Sequence, residues 1–233
     1  MAQQEIALIV GAGPGLSASL GRLFNKEGMK VALAARETKK LDGLVKEIDG
    51  RGYACDASIP KDVENLFDSV SKDIGDPNLV VYNASGRVRG PITELDPEAV
   101  RKTIMITCYG GFLVGQAAAK RMLKAGNGTI LFTGASASVK GYANSAAFAM
   151  GKLGLTGLVQ SMARELQPQG IHIAHVVIDG QIKSERPGHS TAERGDDAVL
   201  DPAAIAETYY QLHMQPRSTW TLELELRPYC EKF

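Results

Sequence analysis

Residues 146–155 read AAFAMGKLGL, and Lys152 is the only charged side chain between Lys140 and Arg164. A lone ammonium among small and apolar neighbours either holds a polar ligand or snorkels to the surface. A second group of residues lies near the start of the chain, where Gly11, Gly13 and Gly15, followed by Leu16, separate the apolar run EIALIV from a helix-like segment. Residues without a Cβ let the backbone turn sharply there. They also let a pyrophosphate approach the N–H groups at a helix start. The bland alternative is a tight turn with no ligand. The run KVALAA ends in Ala35, where a carboxylate would select an unphosphorylated adenosine ribose, and Arg36 follows. Arg36 can pair with a 2′-phosphate, which favours NADP(H) over NAD(H), or it is a solvated surface arginine, and Glu37 stands beside it. Asp56 could accept from an adenine amino group or serve as a helix-cap acid. Asn83 and Ala84, in YNASG, follow another apolar run, where a short amide can order a turn and contact a cofactor.

These residues need elements to position them. EIALIV (5–10), KVALAA (30–35), YACDA (53–57), NLVVY (78–82), GTILFT (128–133) and IHIAHVVI (171–178) read as strands, and TWTLELEL (219–226) as a strand with one wet face. Between them the spacing predicts helices to about Glu27, over 38–48, over 61–74 with Val63, Leu66, Phe67 and Val70 on one face, over 96–126, over 144–166 and over 201–214. Strand–helix alternation implies right-handed crossovers and a parallel sheet covered on both faces, an α/β fold. The polar stretch 179–200 is a long irregular loop, expected to be a lid over a substrate or else disordered.

The chain has 233 residues, 26 basic and 26 acidic, with 44% hydrophobic residues. That suits a single domain over 1–233. Balanced charge makes no electrostatic case for nucleic acid or an anionic membrane. No transmembrane stretch or signal peptide is visible, and a reducing, cytoplasmic setting fits Cys55, Cys108 and Cys230, which match no metal or disulfide spacing and read as small buried or partly buried thiols. His172 and His175 fall on opposite faces of a strand, and His189 and His213 lack partners at ligand spacing, so no metal is expected.

Together, Gly11-x-x-x-Gly15-Leu16, Asp56, Asn83-Ala84-Ser85-Gly86 and Lys152 resemble the short-chain dehydrogenase/reductase superfamily over the whole chain. The resemblance implies a Rossmann-type, doubly wound sheet of seven mainly parallel strands, with the cofactor across the C-terminal strand ends. It also implies a homodimer formed through the two helices after the fourth and fifth strands, or a homotetramer formed through the last helix and strand. Lys152 would hold the nicotinamide ribose and lower the pKa of a tyrosine four residues earlier, the general acid for a carbonyl oxygen. The backbone of Ile182, after Asp179-Gly180 in the place of the family's Pro-Gly, would meet the carboxamide.

The rest of the family pattern is altered. Phe148 stands at the tyrosine position, Ala135 at the serine, Thr107 at the asparagine and Ser17 at the third glycine. A positioned general acid is worth ~10²–10⁴-fold and an oxyanion donor ~10²–10³-fold. Three readings follow. Ser136, Tyr142, Ser138, Asp179 or the Tyr209/Tyr210 pair replaces the phenol; or hydride goes to a substrate, such as an enone, that needs no side-chain acid; or the chain is an NADP(H)-binding regulatory or sensor module. The first two make it an oxidoreductase acting on a small organic carbonyl, alcohol or enone.

Overall fold

The computed structural model describes residues 4–184, 195 and 197–230. Seven strands, β1 (Ile6–Val10), β2 (Lys30–Ala35), β3 (Arg51–Ala54), β4 (Leu79–Tyr82), β5 (Gly128–Thr133), β6 (Ile171–Ile178) and β7 (Glu223–Leu226), form one sheet in the order β3-β2-β1-β4-β5-β6-β7. All of the pairings are parallel. The central strands are buried throughout, which is why they read as mainly apolar runs rather than alternating ones, His172 and His175 being the exceptions in β6. The edges are polar: Arg51 on β3, and Glu223 and Glu225 on β7, are exposed, which blunts pairing with another sheet.

Helices α1 (Leu16–Lys26), α2 (Asp42–Glu47) and α7 (Pro202–His213) cover one face, where Leu20, Phe24, Tyr209 and Leu212 pack on β1 and β6. Helices α3 (Pro60–Asp73), α4 (Pro97–Ile104), α5 (Gly110–Ala125) and α6 (Ala146–Leu166) lie on the other. The α3 face expected from the sequence, Val63, Leu66, Phe67 and Val70, is buried in full. Pro97 begins α4 behind Asp96, whose carboxylate accepts from the Glu98 and Ala99 N–H groups. Among the described residues no helix is long and apolar enough to cross a membrane.

The structure corrects four expectations. The segment 96–126 is not one α-helix, because a π-turn over Met105–Tyr109 separates α4 from α5. Its distorted bonding is supported from outside: the Tyr82 hydroxyl donates to the Ile106 carbonyl, and the Gly86 N–H donates to Thr107 Oγ1 at 3.0 Å. The third strand is Arg51–Ala54, so Cys55 and Asp56 lie beyond its end. The last strand starts only at Glu223, because Arg217–Thr219 forms a 3₁₀ turn and the Gln215 amide ties down Thr221. Cys230 is exposed rather than buried. Half of the expected lid over 179–200, residues 185–194 and 196, lies outside the described residues. Its base is defined by a parallel bridge between Ile182 and Leu200.

Candidate functional site

The strand order reverses direction between β1 and β4, and the carboxyl ends of those strands open a crevice. A cleft of about 1590 Å³ lies there. Its floor is the glycine turn. Gly11 has φ +89°, and a Cβ on it would overlap the backbone nitrogen of Ala84, so two strand ends meet at a distance only glycine allows. Gly13 and Gly15 are different: a Cβ on either would meet nothing within 4 Å, leaving the turn open on the cleft side. No side chain caps α1 behind Gly15. The first N–H groups of that helix are therefore available to an anion.

Asn83 and Ser17 hold the turn. Asn83 Nδ2 donates to Ser17 Oγ at 2.8 Å, and Ser17 Oγ donates to the Gly11 carbonyl at 3.2 Å. The serine at the family's glycine position thus ties β4 to the turn, a role nothing in its sequence context announced. Leu16 and Ala84 complete this wall. At the end of β2, Ala35 and Arg36 line the cleft, joined by Lys40, whereas Glu37 does not reach it. Asp56 is absent from the lining. Its Oδ1 accepts from the Ser58 N–H at 2.9 Å and the Ser58 hydroxyl at 2.6 Å, an Asx turn ahead of α3, whose N-cap Ile59 receives no side-chain cap, so Asp56 neither lines the cleft for an adenine contact nor caps the helix.

Lys152 stands on the opposite wall. It is 3% exposed, and its Nζ donates to the Thr133 carbonyl at 2.6 Å. Burial, with a smaller push from Arg87, lowers its pKa to about 7. Phe148, one helical turn earlier, places its ring centroid 5.8 Å from that Nζ, so the two side chains share a face of α6. Ala135 offers the cleft only a methyl group, while Ser136 lines it. Ser138 does not: it is buried, and its Oγ accepts from the Ala135 N–H at 3.1 Å. Thr107 is fully buried and committed to Gly86. Tyr142 lines the cleft from an exposed position, with Lys140 Nζ 5.6 Å from its ring centroid.

Two groups considered as stand-ins for a phenol are excluded by their surroundings. Burial works to raise the Asp179 pKa, but the Ser136 hydroxyl and Arg227 outweigh it and hold the carboxyl below its usual range. Asp179 therefore stays a carboxylate and orients Ser136. The Tyr209 hydroxyl is spent on Thr133 Oγ1 at 2.8 Å, beneath the sheet, and burial raises its pKa. Tyr210 also lies outside the lining. Gly180 and Ile182 do line the cleft. Gly180, at φ +158°, lies so close to Pro228 that a Cβ would meet its Cδ at 2.7 Å. The Leu200 N–H donates to Gln181 O and the Lys183 N–H to Leu200 O. In a parallel ladder this pattern turns the peptide groups of Ile182 itself away from Leu200.

Sequence reasoning missed Arg87 and Arg89, which follow β4 and line the cleft. The Arg87 guanidinium carbon lies 4.1 Å from the Phe148 ring centroid. The signal was present in NASGRVRG, two arginines just past a strand end, but nothing local tied them to a residue sixty positions away.

Residues 5–193 match the family model of short chain dehydrogenases. The (21S)-21-acetoxyl-apo-melianone synthase SDR of Melia azedarach is 30% identical over 207 residues, covering 87% of this chain and 74% of its own. Among solved structures, a short-chain dehydrogenase from Rhodopseudomonas palustris superposes with a TM-score of 0.82 at 35% identity, covering 97% of this chain and 100% of that one. A metagenomic short-chain oxidoreductase, solved in complex with NADP, superposes with a TM-score of 0.83 at 26% identity over 96% of this chain and 97% of its own.

Proposed function

We propose, from the premise that this chain belongs to the short-chain dehydrogenase family, that it is an NADP(H)-dependent oxidoreductase acting on a small organic carbonyl, alcohol or enone through a non-standard site. One observation carries the reading: a buried ammonium, Lys152, without a carboxylate partner among the described residues, faces an uncapped glycine turn across one cleft. A buried charge of this kind is costly to keep without a ligand or a reaction to serve.

The residues fit a dinucleotide. The open turn at Gly13 and Gly15 and the N–H groups of α1 would take the pyrophosphate. Arg36 and Lys40 would take a 2′-phosphate, and among the described residues no carboxylate lines that end of the cleft to exclude one. Lys152 would hold the ribose diol, and Ile182 would meet the carboxamide. Bound there, the nicotinamide supplies the hydride. The chain handles the proton. Lys152, with a pKa of about 7, can hold or release one at neutral pH. Ser136 offers a hydroxyl that Asp179 orients. Tyr142, farther out and exposed, is in a position to close on a substrate.

Calorimetric titration with NADPH and NADH tests the cofactor assignment. Heat is the readout of choice, because Trp220 stacks on His172 and lines a separate cavity at the amino ends of the strands. NADPH is expected to bind at least tenfold more tightly than NADH, and Arg36→Ala to remove most of that difference. Equal affinities would reject the phosphate role, and no binding of either at millimolar concentration would reject the reading as a whole. A regulatory module remains the second reading, favoured by Phe148, which cannot donate a proton. It predicts tight NADPH binding without oxidation above background for any carbonyl or enone.

Self-association through α5 and α6 is part of the same proposal. Phe112 and Leu123 on α5, and Met150 and Leu153 on α6, are large apolar side chains left exposed. Light scattering is expected to give a multiple of the 24.9 kDa chain mass, reduced to one copy by Met150→Glu with Leu153→Glu. A monomer in the parent would overturn this.

A further inference from the structure

The cleft contains more positive charge than a dinucleotide uses. Arg36 and Lys40 line it at the end of β2, and Arg87, Arg89 and Lys140 line it after β4 and β5. Strands lie about 4.8 Å apart, so β2 and β4, with β1 between them, place the two groups on the order of 10 Å apart at their roots. The glycine turn lies between. A dinucleotide running from Arg36 over that turn to Lys152 leaves the second group unmatched.

The two arginines of that second group have no internal purpose, whereas Lys140 lies near enough to Asp179 to help hold its carboxyl ionised. Arg22, Arg101, Arg121 and Arg227 each pair with a carboxylate, and Arg164 and Arg217 donate to backbone carbonyls. Arg87 and Arg89 have no hydrogen-bond or carboxylate partner among the described residues. The nearest charges felt by Arg87 are cations, Arg89 and Lys152. Among the described residues the carboxylates lining the cleft are already engaged: Asp179 with Arg227 and, electrostatically, Lys140, and Asp201 with the Ala203 N–H at the start of α7. Arg87 is held by its face on the Phe148 ring. A stacked guanidinium keeps its N–H edge free and oriented, the arrangement that grips a carboxylate or phosphate in two-pronged fashion. Lys140 is placed over Tyr142 in the same way. Arg87, Arg89 and Lys140 are exposed to solvent at the cleft, and a cleft lined by one sign of charge concentrates ligands of the opposite sign.

We infer that Arg87, Arg89 and Lys140 form an anion subsite beside Phe148, and that the substrate carries a carboxylate or phosphate group. This rests on the reading of the cleft as a dinucleotide site. It also assigns the phenylalanine a task, as the platform that aims Arg87.

The test is calorimetry on NADPH-saturated protein with three probes: 4-oxopentanoate, its neutral methyl ester, and inorganic phosphate. The acid is expected to bind at least tenfold more tightly than the ester. Phosphate is expected to compete with the acid. Arg87→Gln with Arg89→Gln is expected to remove the acid-over-ester preference and leave NADPH affinity unchanged, whereas Arg36→Ala does the reverse. Equal binding of acid and ester, or a preference that survives the double variant, overturns the subsite. A loss of NADPH affinity in the double variant also overturns it, by assigning those arginines to the cofactor. Should NADPH itself fail to bind, the dinucleotide reading falls. The same phosphate titration on the free protein, parent against double variant, then judges the subsite separately: no difference between them overturns it.

Discussion

Lys152→Met is expected to reduce substrate turnover by ~10²–10⁴-fold, the range associated with losing a positioned proton-transfer group. It is also expected to make the cofactor-free protein more stable below neutral pH. Both effects have one origin. Burial lowers the Lys152 pKa from 10.5 to about 7, so the folded state binds this proton less readily than the unfolded chain does. Below pH 7 the ammonium is charged in both states and its full desolvation cost opposes folding. Between 7 and 10.5 the folded state holds the neutral amine while the unfolded chain remains protonated, so the penalty shrinks as pH rises. Above 10.5 it is gone. Methionine carries no such penalty at any pH. It loses the bond to the Thr133 carbonyl, worth about 1 kcal/mol net. Urea unfolding at pH 6 and pH 9.5 should therefore show the variant's advantage narrowing by roughly 3 kcal/mol across that interval. An advantage independent of pH would mean that Lys152 is not buried as a strained ammonium.

Phe148→Tyr is expected to raise carbonyl reduction by about 10²-fold or more, because it restores a phenol on the helical face that carries Lys152. The ammonium beside the ring would favour the phenolate and lower the new group's pKa. A tyrosine also keeps an aromatic face for Arg87, so the guanidinium should not lose its platform. Steady-state oxidation of NADPH with a carbonyl and an enone panel reads the effect. A gain for carbonyls but not for enones would show that the parent is adapted to substrates needing no side-chain acid. No gain for either would mean that proton delivery does not limit this site, and the regulatory reading would gain ground.

Much of the fold was legible before any coordinates. Short apolar runs such as IALIV, and IHIAHVVI broken only by His172 and His175, fit strands covered on both faces, and α3 announced its buried face by spacing alone. The failures were local and had non-local causes. The π-turn between α4 and α5 depends on Tyr82 and Gly86, more than twenty residues upstream. The short β7 depends on Gln215 holding Thr221. Asp56 carried a motif's position but was captured by Ser58 in an Asx turn.

By itself the sequence determined the strand–helix alternation, the glycine turn, the arginine after the second strand and the missing phenol at Phe148, because each is written in residues that are neighbours along the chain. The tertiary structure alone decided which polar, charged and aromatic groups meet: Lys152 on the Thr133 carbonyl, Arg227 on Asp179, Ser17 under Asn83, and Arg87 over Phe148. Those contacts join residues 19 to 66 positions apart. The crossovers of a parallel sheet bring such distant loops to one edge, and no local preference of the chain encodes that meeting.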